Sequence, residues 1–272
     1  MENMQDKTIL ITGSTDGIGK QTAYELAVMG ATVIIHGRDS VKGESVVKQL
    51  LEKTGNKKIF LHIADLASQY QIRKFARDIN IKYGRLDVLI NNAGVYMKKK
   101  ELSEDKIEMT FAINYLAPFL LTFLLLELLK QSSPSRIINV SSASHQRGSI
   151  DFNNLQGENK YDAYDVYSIS KLGNLLFTYE LADRLKGTGV TVNALHPGVI
   201  STKLLHAAFN VTGDDLIEGA STPVYLASSE KLANTTGKYF VKKEEASSSA
   251  LSYNAEVRKK FWLLSERLCG ID

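Results

Sequence analysis

Tyr167 and Lys171 stand four residues apart in a stretch, 163–185, whose apolar spacing predicts a helix, so the two side chains share a face. A free phenol ionises near pH ~10, and a neighbouring ammonium favours the phenolate. Such a pair can deliver or accept a proton at a reacting oxygen. Tyr–Lys pairs are common on helix surfaces, so this one needs company to mean chemistry. Ser141-Ser142 provide some, closing a predicted strand at 136–140. A hydroxyl there can hydrogen-bond an oxygen on which negative charge develops, although strand-end serines also serve plain turns. Successive strand residues face opposite ways, so only one of the two can serve. Asn114 lies in a long apolar stretch with Pro118 four residues on. Proline lacks an N–H and clashes with the carbonyl four residues before it. The Asn114 carbonyl, freed in this way, could bind a water linked to Lys171; the alternative is a simple kink with a solvated carbonyl.

The second constellation is Gly13-Ser14-Thr15-Asp16-Gly17-Ile18-Gly19. It follows the first predicted strand (7–12) and opens the first predicted helix (18–29). Glycines let a backbone turn tightly and approach a pyrophosphate with no Cβ in the way. The positive end of the helix dipole then favours phosphate. Three glycines alone are a weak signal, but the strand-to-helix context strengthens it.

The elements that position these residues alternate along the chain. Strands are predicted at 7–12, 32–35, 58–63, 86–90, 136–140, 191–195 and 238–241. Helices are predicted at 18–29, 41–51, 69–82, 106–129, 163–185 and 215–227. This alternation implies an α/β fold, a Rossmann-type doubly wound parallel sheet with helices on both faces. Only four prolines occur and no Ser/Gly-rich linker divides the pattern, so residues 1–272 read as a single dinucleotide-binding domain. An added amphipathic helix at about 250–269 is expected to bury Ala255, Phe261, Leu264 and Leu268.

Of 272 residues, 44% are hydrophobic and 23% charged, which excludes disorder as a description of the whole chain. The net charge of +3 is too small and too dispersed for a nucleic-acid binder, and Lys98-Lys99-Lys100 reads as a solvated loop. One cysteine, Cys269, permits neither an intrachain disulfide nor a zinc knuckle, and no metal site is expected. The polar start carries no signal-peptide pattern, and a cytoplasmic location is expected. The uncharged stretch 109–126 could pass for a membrane span, but its α/β flanks favour a buried helix and no integral membrane segment.

Together with Asn91-Asn92-Ala93-Gly94, the glycine turn and Tyr167-x-x-x-Lys171 resemble the short-chain dehydrogenase/reductase family over essentially the whole chain. Gly37-Arg38-Asp39, the run from Leu86 to Gly94, Ser135 to Ser142, His196-Pro197-Gly198 and the tail around Phe261 to Leu268 resemble its retinol-dehydrogenase-like branch. The resemblance implies Asn114, Ser142, Tyr167 and Lys171 as catalytic residues and selects the second serine. It implies that the dinucleotide meets Gly13 to Gly19, Asp65-Leu66, Asn92-Ala93-Gly94, Tyr167, Lys171 and Pro197-Gly198-Val199 with Thr202. At the end of the second strand an acid would select NAD. Gly37 stands there instead and Arg38 can pair with a 2′-phosphate, which favours NADP, while Asp39 keeps NAD open.

The implied enzyme is an NADP-dependent alcohol dehydrogenase or carbonyl reductase acting on a small hydrophobic alcohol, aldehyde or ketone. Its pocket is expected from Val95-Tyr96-Met97, Ser144-His145, the stretch to Tyr164, and a loop within 199–215 bearing Leu204, Leu205 and Phe209. His145 and His206 read as wall or surface residues. A non-catalytic NADP(H) sensor or scaffold is the alternative. Apolar surplus on the helices 106–129 and 163–185, with Phe119, Phe123, Leu126, Leu172, Leu176 and Tyr179, leads to an expected homodimer through a four-helix contact, unless the C-terminal helix covers that surface.

Overall fold

Apolar runs of four to seven residues form the central strands, buried on both faces, and longer runs form the helices between them. A computed structural model describes residues 3–208 and 211–271. In chain order the elements are β1 (Thr8–Ile11), α1 (Gly17–Val28), β2 (Thr32–Gly37), α2 (Ser40–Thr54), β3 (Ile59–Ile63), α3 (Gln69–Lys82) and β4 (Val88–Asn91). There follow α4 (Met109–Phe111), a π turn (Ala112–Leu116), α5 (Ala117–Gln131), β5 (Ser135–Val140) and α6 (Ala163–Arg184). The last part holds β6 (Val190–His196), α7 (Lys203–Ala208), α8 (Leu216–Ser228), β7 (Lys238–Val241), β8 (Glu244–Ala246) and α9 (Ala255–Cys269).

The sheet order is β3-β2-β1-β4-β5-β6-β7-β8. All pairings are parallel except β7 with β8, a short hairpin that sequence periodicity did not suggest. Order reverses between β1 and β4, the switch point outside whose carboxyl ends α/β folds bind ligands. One core packs α3, α5, α6 and α9 on one face of the sheet, and another packs α1, α2 and α8 on the opposite face.

The helix predicted from residue 106 begins at Met109 instead. Lys106 adopts φ 60°, and the Glu108 carboxylate accepts the Phe111 N–H at 2.8 Å, capping the first turn. The whole stretch Met109–Gln131 is long and apolar enough to cross a membrane, yet most of it is buried inside this fold.

The C-terminal helix buries Phe261, Trp262, Ser265 and Cys269, while Ala255 is exposed and Leu264 and Leu268 are half-buried. The buried stripe is thus rotated from the expected one. Phe261 meets Tyr115 at 4.8 Å between ring centroids, and Trp262 meets Phe119 edge-on at 4.9 Å. Leu172, Leu176, Tyr179 and Phe119 are buried within the chain, while Phe123 is exposed and Leu126 half-buried. The last helix thus covers Phe119 and Phe177, part of the surface considered for the expected two-fold contact.

Candidate active site

The glycine turn and the Asn-Asn-Ala-Gly turn meet backbone to backbone at the switch point. A Cβ on Gly13, whose φ is +64°, would lie 2.8 Å from Ala93 Cα, and one on Gly19 would lie 2.4 Å from Asn92 Nδ2. Thr12 Oγ1 accepts the N–H groups of Asn92 at 3.0 Å and Ala93 at 3.1 Å, and Asn92 Nδ2 donates to the Thr12 carbonyl at 2.8 Å. Behind the turn, His36 Nδ1 accepts the Gly13 N–H at 3.2 Å, so its Nε2–H donates to the Ala64 carbonyl at 3.1 Å. Burial pushes this imidazole down to about 4, which keeps it neutral. Thr12 opens the expected turn but was given no contact of its own, and His36 was not among the expected site residues. Their sequence signals are slight: a threonine before the first glycine and a histidine inside an apolar strand.

One cavity of about 820 Å³ runs from this end to Ser142, Tyr167 and Lys171. Its wall includes Gly13, Asp16, Gly17, Ile18, Gly19, Arg38, Asp65, Leu66, Asn92, Ala93 and Gly94, and it continues to Tyr167, Lys171, Pro197, Gly198, Val199 and Thr202. Ser14 and Thr15 lie behind the wall. Ser14 Oγ donates to the Ile11 carbonyl at 2.7 Å and accepts the His36 N–H at 3.0 Å. Thr15 packs where a Cβ on Gly37 would come within 2.6 Å of its Cγ2. No NAD-selecting acid therefore fits at position 37. Asp39 is engaged as the cap of α2, accepting the Lys42 N–H at 3.0 Å. Arg38 is exposed on the cavity wall. A glycine cradle open to the cavity, with a cation and no free acid at the second strand, fits a dinucleotide carrying a 2′-phosphate.

Asp16 caps α1 and ties the turn to the segment after β6. Its carboxylate pairs with Lys42 at 2.5 Å and Lys203 at 2.9 Å. Burial acts to raise this group, but the hydrogen bonds from Lys42, Lys203 and the Gly17 N–H outweigh it and hold it well below the carboxylate range. The same segment brings Leu204, Leu205, His206 and Val211 to the cavity, while Phe209 lies outside the described residues. Val95 and Ser144 also line it. Tyr96 packs edge-on against Tyr167 at 5.6 Å, the Met97 carbonyl accepts the Tyr161 hydroxyl at 2.9 Å, and Tyr164 reaches Ser144 Oγ at 3.5 Å.

At the Tyr167 end the two serines separate as strand geometry requires. Ser141 Oγ turns inward and donates to the Lys171 carbonyl at 2.7 Å. Ser142 and Tyr167 both line the cavity, and Ser142 Oγ accepts the Ser144 N–H at 3.2 Å. Lys171 Nζ lies 5.7 Å from the Tyr167 ring centroid and donates to the Val140 carbonyl at 3.1 Å. Burial pushes the Tyr167 phenol up to about 12 against the opposing effect of the Ser142 hydroxyl, and pushes Lys171 down to about 8. The expected lowering of the phenol by the ammonium is therefore reversed here: desolvation dominates, and Tyr167 stands as a neutral proton donor.

Asn114 is fully buried and does not line the cavity. Its side chain clamps the loop after β4: Oδ1 accepts the Val95 N–H at 2.8 Å, and Nδ2 donates to the Val95 carbonyl at 3.0 Å. Its carbonyl, in the π turn ahead of Pro118, accepts Asn174 Nδ2 at 3.0 Å. The expected open carbonyl thus already has one partner, an amide one turn beyond Lys171. His196 was also missed. It lines the cavity with Nδ1 buried and unpartnered, and burial pushes it down to about 4.

The short chain dehydrogenase family profile matches residues 7–211. The chain belongs to that family. Retinol dehydrogenase 13 of Mus musculus is 44% identical, with 97% of this chain and 84% of the mouse protein aligned. Among solved structures, an uncharacterised protein from Mycobacterium paratuberculosis superposes with TM-score 0.84 at 31% identity, covering 99% of this chain and 96% of that one. A short chain dehydrogenase from Shigella flexneri complexed with NADP gives TM-score 0.72 at 28% identity, covering 89% and 99%. The chain is an oxidoreductase of the retinol-dehydrogenase-like branch.

Proposed function

We propose that this enzyme is NADP(H)-dependent and interconverts a hydrophobic alcohol with its aldehyde or ketone, Tyr167 acting as general acid and base. The observation that carries the reading is the placement of Tyr167. It shares the cavity wall with Ser142 and packs beside Lys171, with the glycine turn at one end of that cavity and Leu204, Leu205 and Val211 in its wall. The nicotinamide, when bound, supplies or takes the hydride. Ser142 Oγ holds the substrate oxygen beside the phenol, and in reduction Tyr167 gives that oxygen its proton. Lys171, whose Nζ lies 5.7 Å from the Tyr167 ring centroid, stabilises the phenolate left behind. The Shigella structure named above contains NADP, and the mouse relative is named for retinol. Both support the choice of cofactor and an apolar substrate. The test is cofactor oxidation followed at the nicotinamide absorbance with retinal and a panel of shorter aldehydes and ketones, using NADPH and NADH in parallel. Turnover with none of the panel, or a clear preference for NADH, would overturn the reading.

A further inference from the structure

Ser142 is followed by a short 3-10 turn, Ala143–Arg147, which it caps through Oγ to the Ser144 N–H at 3.2 Å. Inside that turn His145 is only 1% exposed and makes two ring contacts of opposite sense. Nδ1 lies 2.6 Å from the Ser142 carbonyl, and Nε2 lies 3.2 Å from the Ser249 backbone nitrogen. A backbone N–H only donates, so Nε2 is the acceptor. The ring proton then sits on Nδ1 and is given to the Ser142 carbonyl. The imidazole also stands edge-on to Tyr239 of β7 at 5.1 Å, which fixes its plane.

Ser249 lies beyond the residues matched by the family profile. Its segment is held by its own polar chain. Tyr179 of α6 bonds Ser248 Oγ at 2.7 Å, Ser248 Oγ bonds Ser252 Oγ at 2.7 Å, and Ser252 Oγ donates to the Ser249 carbonyl at 2.6 Å. Tyr253 stacks on Tyr179 at 5.0 Å and accepts the Ser248 N–H at 3.0 Å.

We infer that His145 is a positioning residue, a strut that carries the order of the C-terminal segment to the backbone of Ser142 and so fixes the Ser142 hydroxyl beside Tyr167. This rests on the role of Ser142 proposed above. The geometry explains why an imidazole suits the position: it donates on one side and accepts on the other across a buried gap. Leucine does neither, and asparagine, whose amide ends where Nδ1 lies, can donate to Ser142 but is too short to reach Ser249 as well.

Ser249 allows a selective cut. Its φ of −61° is the value proline prefers and its own hydroxyl is buried without a partner, so Ser249→Pro removes the N–H and sets the ring Cδ against His145 Nε2, dislodging the imidazole from that side. The expected result is a fall in kcat of at least about tenfold, the scale of one lost neutral hydrogen bond, with a lowered melting temperature and NADPH affinity near wild type. His145→Leu should lower kcat further, on the order of 10²-fold, and His145→Asn should recover a large part by donating again to Ser142. Nitrogen NMR of the imidazole should show a proton on Nδ1 in the wild type and a mixture of tautomers in Ser249→Pro. Wild-type kcat in both Ser249→Pro and His145→Leu, or an Nε2–H tautomer in the native protein, would overturn the inference. If His145→Leu fails to fold, Ser249→Pro and the tautomer decide alone. Ser142→Ala separates the two levels. If it stays active, the proposed role of Ser142 fails; if it is inactive while Ser249→Pro is normal, only the strut fails.

Discussion

The two ends of the cavity are built differently. At the dinucleotide end, backbone packs on backbone: Gly13 against Ala93 and Gly19 against Asn92, with Thr12 and the neutral His36 holding the turns from behind. At the open end, side chains on the segment after β6 close over the cavity, and the bond from that segment to the glycine turn is an ion pair from a largely exposed Lys203. The first construction tolerates almost no change in shape. The second leaves shape to side chains that can be exchanged without disturbing the sheet. A family can keep one cofactor and vary its substrates when the two tasks are separated in this way.

The junction of the two ends should show the largest effect. Tyr167→Phe leaves the cavity wall in place and removes the proton donor, so kcat should fall by ~10²–10⁴-fold with NADPH affinity little changed. Stopped-flow turnover and cofactor titration check both halves. Near-normal carbonyl reduction by this variant would show that the phenol does not carry the proton.

Next comes the packed end. Gly19→Ala places a methyl 2.4 Å from Asn92 Nδ2 and 2.5 Å from the Gly13 carbonyl. Overpacking of this kind costs ~1–3 kcal/mol. A lowered melting temperature together with weakened NADPH binding is expected, measured by thermal unfolding and fluorescence titration. If both are unchanged, the turns are less tightly coupled than their geometry implies.

The same contrast explains what was legible beforehand. Glycines, the Asn-Asn-Ala-Gly turn and the Tyr–Lys spacing are fixed by backbone geometry, so they persist as motifs, and the alternation of apolar runs gave the sheet and its layers. What escaped depended on tertiary packing. The tautomers of His36 and His145 are set by backbone groups far away in sequence, at Ala64 and Ser249. The Tyr167 phenol was expected to shift downward because its neighbour was visible in sequence and its burial was not. Likewise, Asn174 gives no local sign that its amide caps the Asn114 carbonyl. The stripe on α9 came out rotated because Trp262 found a slot between Phe119 and Phe177, which periodicity cannot weigh.

Between the extremes lies Arg38, a side chain at the dinucleotide end. Removing one charged partner of a phosphate typically costs ~1.5–3 kcal/mol, so Arg38→Ala should weaken NADPH binding by roughly 10- to 150-fold. NADH, lacking the 2′-phosphate, should be nearly unaffected. Equal losses for the two cofactors would show that Arg38 does not read that phosphate, and the dinucleotide end would then select by shape alone.

Lys203→Ala probes the open end and should do least. The lysine is 85% exposed, and Asp16 keeps its other partner, Lys42, when the Lys203 pair is lost. Exposed pairs in high dielectric are screened by salt and offset by the entropy of holding a long side chain in place. The melting temperature should therefore match wild type. KM for a bulky aldehyde should change only slightly, and less at high salt than at low. Thermal unfolding and initial rates at two ionic strengths test this. A clear loss of stability, or of NADPH affinity, would mean that the segment after β6 braces the glycine turn through Asp16, and the two ends would then have to be treated as one rigid unit.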